Sequence, residues 1–151
     1  MVTHPGPGTV ALSPEIRAAI IQHARTDYPN EACGVIVGSA FAANGGEAIR
    51  FVPTRNAEAS PFRYVIDSGD LLAVTMAADD NGEEIWAIVH SHTHSPAKPS
   101  PTDVRQAAWW PDALYLLVSL SDDQADPATG EPGIRGWRIV GDEMFEVQLS
   151  R

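Results

Sequence analysis

The run Ile85-Trp86-Ala87-Ile88-Val89 passes straight into His90-Ser91-His92, and after seven further residues come Ser100 and then Asp103. Its β-branched and aromatic residues read as a strand. Residues two apart on a strand project from the same face, so His90 and His92 point to one side of a sheet. Two imidazoles held in that way can meet one ion. Zinc that does chemistry typically keeps three protein ligands and leaves the fourth position to water, and two histidines plus a carboxylate form such a set. Asp103 is the natural third ligand. With five histidines, ten serines and eleven aspartates in the chain, a chance match to this spacing in a shuffled sequence has odds on the order of one in a thousand.

Each residue of the pattern also has a plainer reading. Ser100-Pro101-Thr102-Asp103 is a helix start, with serine as N-cap, proline at the first position and an acid at the third. That reading is compatible with ligation, because a side chain on the first helical turn tilts back toward the N-terminus, where the histidine strand ends. A histidine in a core is usually a hydrogen-bonded structural residue, and His92 with His94 has the same spacing as His90 with His92. Pro96 soon ends the strand and leaves His94 on a loop, which favours His90 and His92 as ligands and His94 as a rim residue. A metal centre that activates water also needs a base nearby. Glu31 is the candidate, since Pro29-Asn30-Glu31 sits at a helix-to-strand junction, although locally it reads as a solvated turn acid. Cys33, in an Ala-Cys-Gly-Val setting, suits a small buried side chain rather than a nucleophile. Trp109 and Trp110 are expected to pack in the core or at its edge.

Composition narrows the remaining classes. A chain of 151 residues fits one domain. No apolar run approaches the roughly 20 residues of a membrane span, and Met1 to Thr9 reads as a flexible Pro/Gly tail without the features of a signal peptide. The expected compartment is the cytoplasm. A single cysteine excludes an internal disulfide and a cysteine-rich cluster. Twenty acidic against ten basic side chains, a formal charge of −10, argue against a nucleic-acid partner.

The expected organisation is a mixed α/β domain over residues 10–151, without repeats. A helix is predicted from about Ser13 to Arg25, capped by Ser13 and closed by Tyr28-Pro29. Strands are predicted at Ala32 to Gly38, Ile49 to Val52 and Arg63 to Ile66. A second helix, capped by Asp67 or Ser68, runs to Asn81-Gly82, and a third covers about Thr102 to Trp110. Leu114 to Leu120 reads as a strand covered on both faces, Ser121 to Gly133 as a surface loop, and Ile134 to Val140 and Met144 to Val147 as closing strands.

Glu31 ahead of a strand, then His90-x-His92, seven residues, Ser100, two residues and Asp103, resembles the signature of the JAMM (MPN+) metallopeptidases. The likeness extends through His23-Ala24-Arg25, Glu31-Ala32-Cys33-Gly34-Val35, Asn56-Ala57-Glu58, Asp67-Ser68-Gly69, Thr102-Asp103-Val104 and Arg138-Ile139-Val140. It is strongest toward actinobacterial members that remove cysteine from the C-terminus of a ubiquitin-like sulfur-carrier protein. The resemblance implies a single JAMM/MPN-like, cytidine-deaminase-like domain with a mixed central sheet flanked by helices. It implies Zn2+ held by His90, His92 and Asp103, Glu31 as general acid/base, and Ser100 as hydrogen-bond donor to the oxyanion. It further implies an amide-cleaving enzyme whose partner is a ubiquitin-like sulfur carrier, with a homodimer left open. The loop His94 to Lys98 departs from those actinobacterial members while keeping the seven-residue spacing, which bears on substrate rather than metal. Two alternatives are a peptidase of the same type with another substrate and a non-catalytic module that docks a ubiquitin-like partner. An iron oxygenase triad would carry its residues in another order, and a metal-dependent hydrolase barrel needs about 250 residues.

Overall fold

A computed structural model of the chain describes residues 8–151. Its strands are β1 (Thr9–Ala11), β2 (Cys33–Gly38), β3 (Ala48–Thr54), β4 (Glu84–His92), β5 (Leu114–Ser119), β6 (Gly133–Val140) and β7 (Glu143–Ser150). They form one seven-stranded sheet in the order β1-β7-β6-β5-β4-β2-β3. Pairings β1/β7 and β4/β5 are parallel and the others antiparallel. Parallel neighbours cannot be joined by a hairpin, and the chain between β4 and β5 supplies the crossover with α3 (Pro101–Gln106).

Helices cover both faces. α1 (Pro14–Asp27) is capped by the Ser13 hydroxyl, which accepts from the Ile16 amide. Its buried stripe of Ile16, Ile20, Ile21 and Ala24 packs with Ile36, Ala87, Val89, Leu114, Leu116 and Val118 in one layer. α2 (Ser68–Asp80), capped by Asp67, sends Val74 and Ala78 to the opposite layer, among Cys33, Val35, Ile88, Tyr115, Leu117, Trp137 and Ile139. From Ala87 onward β4 alternates between these layers, as pleating requires. Ser91 therefore goes with the α1 side, where its hydroxyl accepts from the Ala32 amide at 2.8 Å. His90 and His92 go with the α2/α3 side. Gly34 is confined by packing, since a Cβ there would lie 2.5 Å from the Phe51 ring and 2.8 Å from the Val52 carbonyl oxygen.

Several expectations are corrected. Arg63 to Ile66 is no strand: its only bridge joins Asn56 and Ile66, and the Val65 amide is taken by the Asn56 side chain. α3 ends at Gln106, and a 3-10 turn over Ala107–Trp109 replaces its expected second half. Trp110 is half-buried against the α2-side layer, whereas Trp109 is 81% exposed and packs in neither layer. Thr9, assigned to the tail, opens β1; residues 1–7 lie outside the described residues.

Candidate metal centre

The site forms at the carboxyl ends of the parallel pair β4/β5, where ligand sites of open α/β sheets characteristically sit. His90 pairs with Cys33 on β2 and Leu117 on β5. His92, two residues on, reaches the end of the strand. The Asp103 carboxylate is brought to them by the start of α3. Here the Ser100 hydroxyl accepts from the Asp103 amide at 3.1 Å and Asp103 Oδ2 accepts from the Ser100 amide at 2.8 Å. This capping box is the helix start read in the sequence. It fixes the carboxylate as it fixes the helix.

His90 Nε2, His92 Nε2 and Asp103 Oδ2 converge, with separations of 3.3 Å between the two nitrogens and 3.2 and 3.3 Å from them to the oxygen. All three residues are buried. A cation held tetrahedrally at about 2.0–2.1 Å requires ligand atoms about 3.3–3.4 Å apart, so the three atoms match the corners of such a site. The neighbouring contacts orient them. His92 Nδ1 lies 2.7 Å from the Pro96 carbonyl oxygen; donating there fixes the tautomer that leaves Nε2 as the ligand atom. His90 is stacked on Tyr64, with ring centroids 4.3 Å apart and planes inclined by 22°. Tyr64 is itself buried.

Charge in the site follows from burial and from these pairs. Burial works against the Asp103 carboxylate, yet hydrogen bonds with His90, His92 and the Ser100 amide hold its pKa well below the usual range. Burial lowers the pKa of His90. It opposes the charged form of His92 as well, but the contacts with Asp103 and the Pro96 carbonyl outweigh it and the net shift is upward. Glu31 is different. Burial drives its pKa up to about 7, with His92 opposing and Asp103 adding to the rise.

Glu31, His92, Ser100 and Asp103 all line one cavity of about 570 Å³, together with Pro61, Phe62, Arg63, Tyr64 and His94. The structure thus gathers all the residues singled out in the sequence: His90 lies behind His92 against Tyr64, and the others open to the cavity. His94 is exposed at its mouth, with Nδ1 2.9 Å from the Thr93 hydroxyl and Nε2 3.4 Å from the Tyr28 hydroxyl, a rim position as expected. Cys33 is buried on the α2 side, where burial pushes its thiol up to about 11. That suits packing, not nucleophilic attack.

Three features escaped the sequence reading. Asn56 donates to the backbone carbonyls of Glu31 and Arg63, each at 3.0 Å, and its Oδ1 accepts from the Glu58 and Val65 amides. One amide side chain thus ties the loop before α2 to the catalytic candidate. Tyr64 backs His90 from a segment that looked like a strand. The loop after His92 is held through three successive carbonyls: Ser119 Oγ donates to that of Ser95, His92 to that of Pro96, and Trp137 Nε1 to that of Ala97. No local pattern announces any of these, although Asn56 falls within the stretches shared with the family.

Residues 13–140 match the family of prokaryotic homologs of the JAB domain. The chain belongs to this family. As a JAB-family protein it is similar to the CysO-cysteine peptidase of Mycobacterium tuberculosis, with 43% identity over 132 residues, 87% of this chain and 84% of the relative. The solution structure of protein DSY2949 from Desulfitobacterium hafniense superposes with a TM-score of 0.76 and 29% identity, covering 93% of this chain and 91% of the other. The JAB1/MPN domain protein AF2198 from Archaeoglobus fulgidus shares the fold, with a TM-score of 0.55, 14% identity and coverage of 95% and 99%. The mixed sheet flanked by helices is therefore a JAB/MPN domain, and the chain is a homologue of JAB-family peptidases in which His90, His92 and Asp103 form a group able to hold a metal ion. Among the described residues no helix is long and apolar enough to cross a membrane.

Proposed function

We propose that the protein is a zinc-dependent peptidase that works in the cytoplasm as a single catalytic domain. Its substrate is the amide joining the C-terminus of a ubiquitin-like sulfur carrier to cysteine, and it releases the amino acid. The observation that carries this reading is the convergence of His90 Nε2, His92 Nε2 and Asp103 Oδ2 within 3.3 Å of one another, in a cavity shared with Glu31. The similarity to a CysO-cysteine peptidase over most of both chains supports the substrate class.

His90, His92 and Asp103 would hold the ion. Bound zinc supplies Lewis acidity, polarising a carbonyl oxygen and making water more acidic. Glu31 provides the proton traffic. A group with a pKa of about 7 is divided near neutral pH between the form that takes a proton from attacking water and the form that gives one to the departing amine. Burial, which makes the carboxylate costly, is what equips it for both steps. Ser100 does two jobs with one hydroxyl. Its role as cap uses an oxygen lone pair, and a serine hydroxyl retains a proton to donate. That proton stabilises the substrate oxygen as negative charge develops on it. Tyr64 and Pro96 keep the imidazoles in place and take no part in the chemistry.

The decisive experiment is incubation of the purified protein with a carrier–cysteine adduct, with zinc and after chelation, followed by mass spectrometry. The expected result is loss of one cysteine residue from the carrier only in the zinc-loaded sample. An intact adduct after prolonged incubation with the zinc-loaded enzyme would refute the reading, and a zinc content well below one per chain would refute the metal assignment.

A further inference from the structure

We infer that Arg63 is the specificity-determining residue for the leaving group, binding the free α-carboxylate of the single amino acid to be released. This inference rests on the carrier-adduct reading above and adds the means by which that substrate is told from an internal peptide or isopeptide bond. Only a terminal amino acid presents a carboxylate immediately beyond the scissile amide. A site devoted to such adducts therefore needs a positive group beside the reacting centre.

The cavity has one such group to offer. Four guanidinium groups elsewhere on the surface are committed to carboxylates: Arg25 to Glu131 at 3.2 Å, Arg50 to Glu83 at 3.0 Å, Arg55 to Asp67 and Asp70 at 3.1 Å, and Arg135 to Glu146 at 2.8 Å. Arg63 lines the catalytic cavity, is exposed, and among the described residues has no hydrogen-bond or ion-pair partner for its guanidinium. His94, the other basic side chain at the mouth, is already engaged with Thr93 and Tyr28. The whole chain carries a formal charge of −10. An incoming carboxylate is repelled by such surroundings unless a cation meets it.

The placement of Arg63 is built rather than incidental. Asn56 donates at 3.0 Å to the Arg63 carbonyl and at 3.0 Å to the Glu31 carbonyl, so one side chain sets the backbone of the cation against that of the proposed base. Tyr64, the next residue, is locked against His90. Backbone on both sides of the guanidinium-bearing side chain is thereby fixed, while the side chain itself is free. A planar guanidinium is suited to grip a carboxylate through two parallel hydrogen bonds.

The test compares two substrates that differ in one group: a carrier–cysteine adduct with a free α-carboxylate and the same adduct as its α-carboxamide. The native enzyme is expected to favour the acid by about ten- to a hundred-fold in kcat/KM, the span of one charge-assisted hydrogen bond. Arg63→Gln should erase that preference mainly by raising KM for the acid, leave the amide unaffected, and Arg63→Lys should restore part of it. Because the guanidinium makes no hydrogen bond or ion pair among the described residues, unchanged circular dichroism and zinc content are expected in both variants. Equal cleavage of acid and amide by the native enzyme would overturn the inference, as would an Arg63→Gln enzyme that loses activity equally on both. If the native enzyme cleaved neither, the carrier reading itself would fall, and this inference with it.

Discussion

The two sides of β4 are built for opposite purposes from the same nine residues. Toward α1, Ala87, Val89 and Ser91 meet an almost wholly apolar layer, and the one hydroxyl is consumed by the Ala32 amide. Toward α2 and α3, Ile88 begins a layer that gives way to His90, His92 and Asp103, whose Nε2 and Oδ2 atoms converge on one point while His92 Nδ1 and the Ser100 amide anchor them from behind. Burial is as complete on one side as on the other. It acts as glue on the first and as a tuning force on the second, raising the pKa of Glu31 and lowering that of His90. The same physical term thus stabilises one half of the domain and charges the other with chemistry.

Substitutions can break that contrast. The largest effect is expected from Glu31→Gln, which should lower turnover by about 10²- to 10⁴-fold while zinc still binds at one per chain; a fully active variant would remove Glu31 from the mechanism. On the opposite side, Leu116→Ala should cost about 2–5 kcal/mol of stability in urea unfolding, with kcat per folded molecule unchanged. A parallel fall in kcat would mean that the two layers are not separable. Ser100→Ala mixes both roles: a loss of about 10²-fold in kcat is expected if its hydroxyl serves the transition state, against about 1 kcal/mol for a lost cap. An unchanged rate would leave it as a cap alone.

The smallest effect sharpens the comparison most. In metal-free protein the pKa of Glu31 is raised to about 7. As pH climbs from about 4.5 toward 7 the unfolded chain gives up this proton before the folded one does, so folding stability falls across that window and the penalty is complete above it. Glu31→Gln should therefore stabilise the chelated protein at pH 8, by on the order of 1–2 kcal/mol after allowing for solvent screening, and by much less at pH 5. Unfolding curves at the two pH values check this; an equal gain at both would locate the benefit elsewhere than in the buried charge.

How much of this was legible depended on how local each cause was. The strand into His90 and His92, the Ser100 cap and the α1 stripe of Ile16, Ile20 and Ala24 are written in short-range spacing, and the structure follows them. Arg63 to Ile66 misled because Tyr64, Val65 and Ile66 have strand-forming side chains, yet their backbone is partnered by the Asn56 side chain, the Ala57 amide and one isolated bridge rather than by a neighbouring strand. β1 has only three residues and exists through pairing with β7 at the far end of the chain, a contact no window of sequence contains. Trp109 shows the limit of residue type as a guide to burial, since the 3-10 turn that ends α3 at Ala107–Trp109 leaves its ring outside the core. Glu31 was found in the sequence, but its raised pKa depends on depth and on His92 and Asp103, neighbours distant along the chain.

The segment between His92 and Ser100 is moored at Ser95, Pro96 and Ala97 by their carbonyl oxygens, a group that every amino acid possesses. Its course at these three positions thus rests on backbone groups, and with Thr93, Ala97 and Pro99 buried, the exposed side chains of His94, Ser95 and Lys98 could be exchanged with His90, His92 and Asp103 left where they are. Such a loop is a replaceable keyhole in a fixed lock.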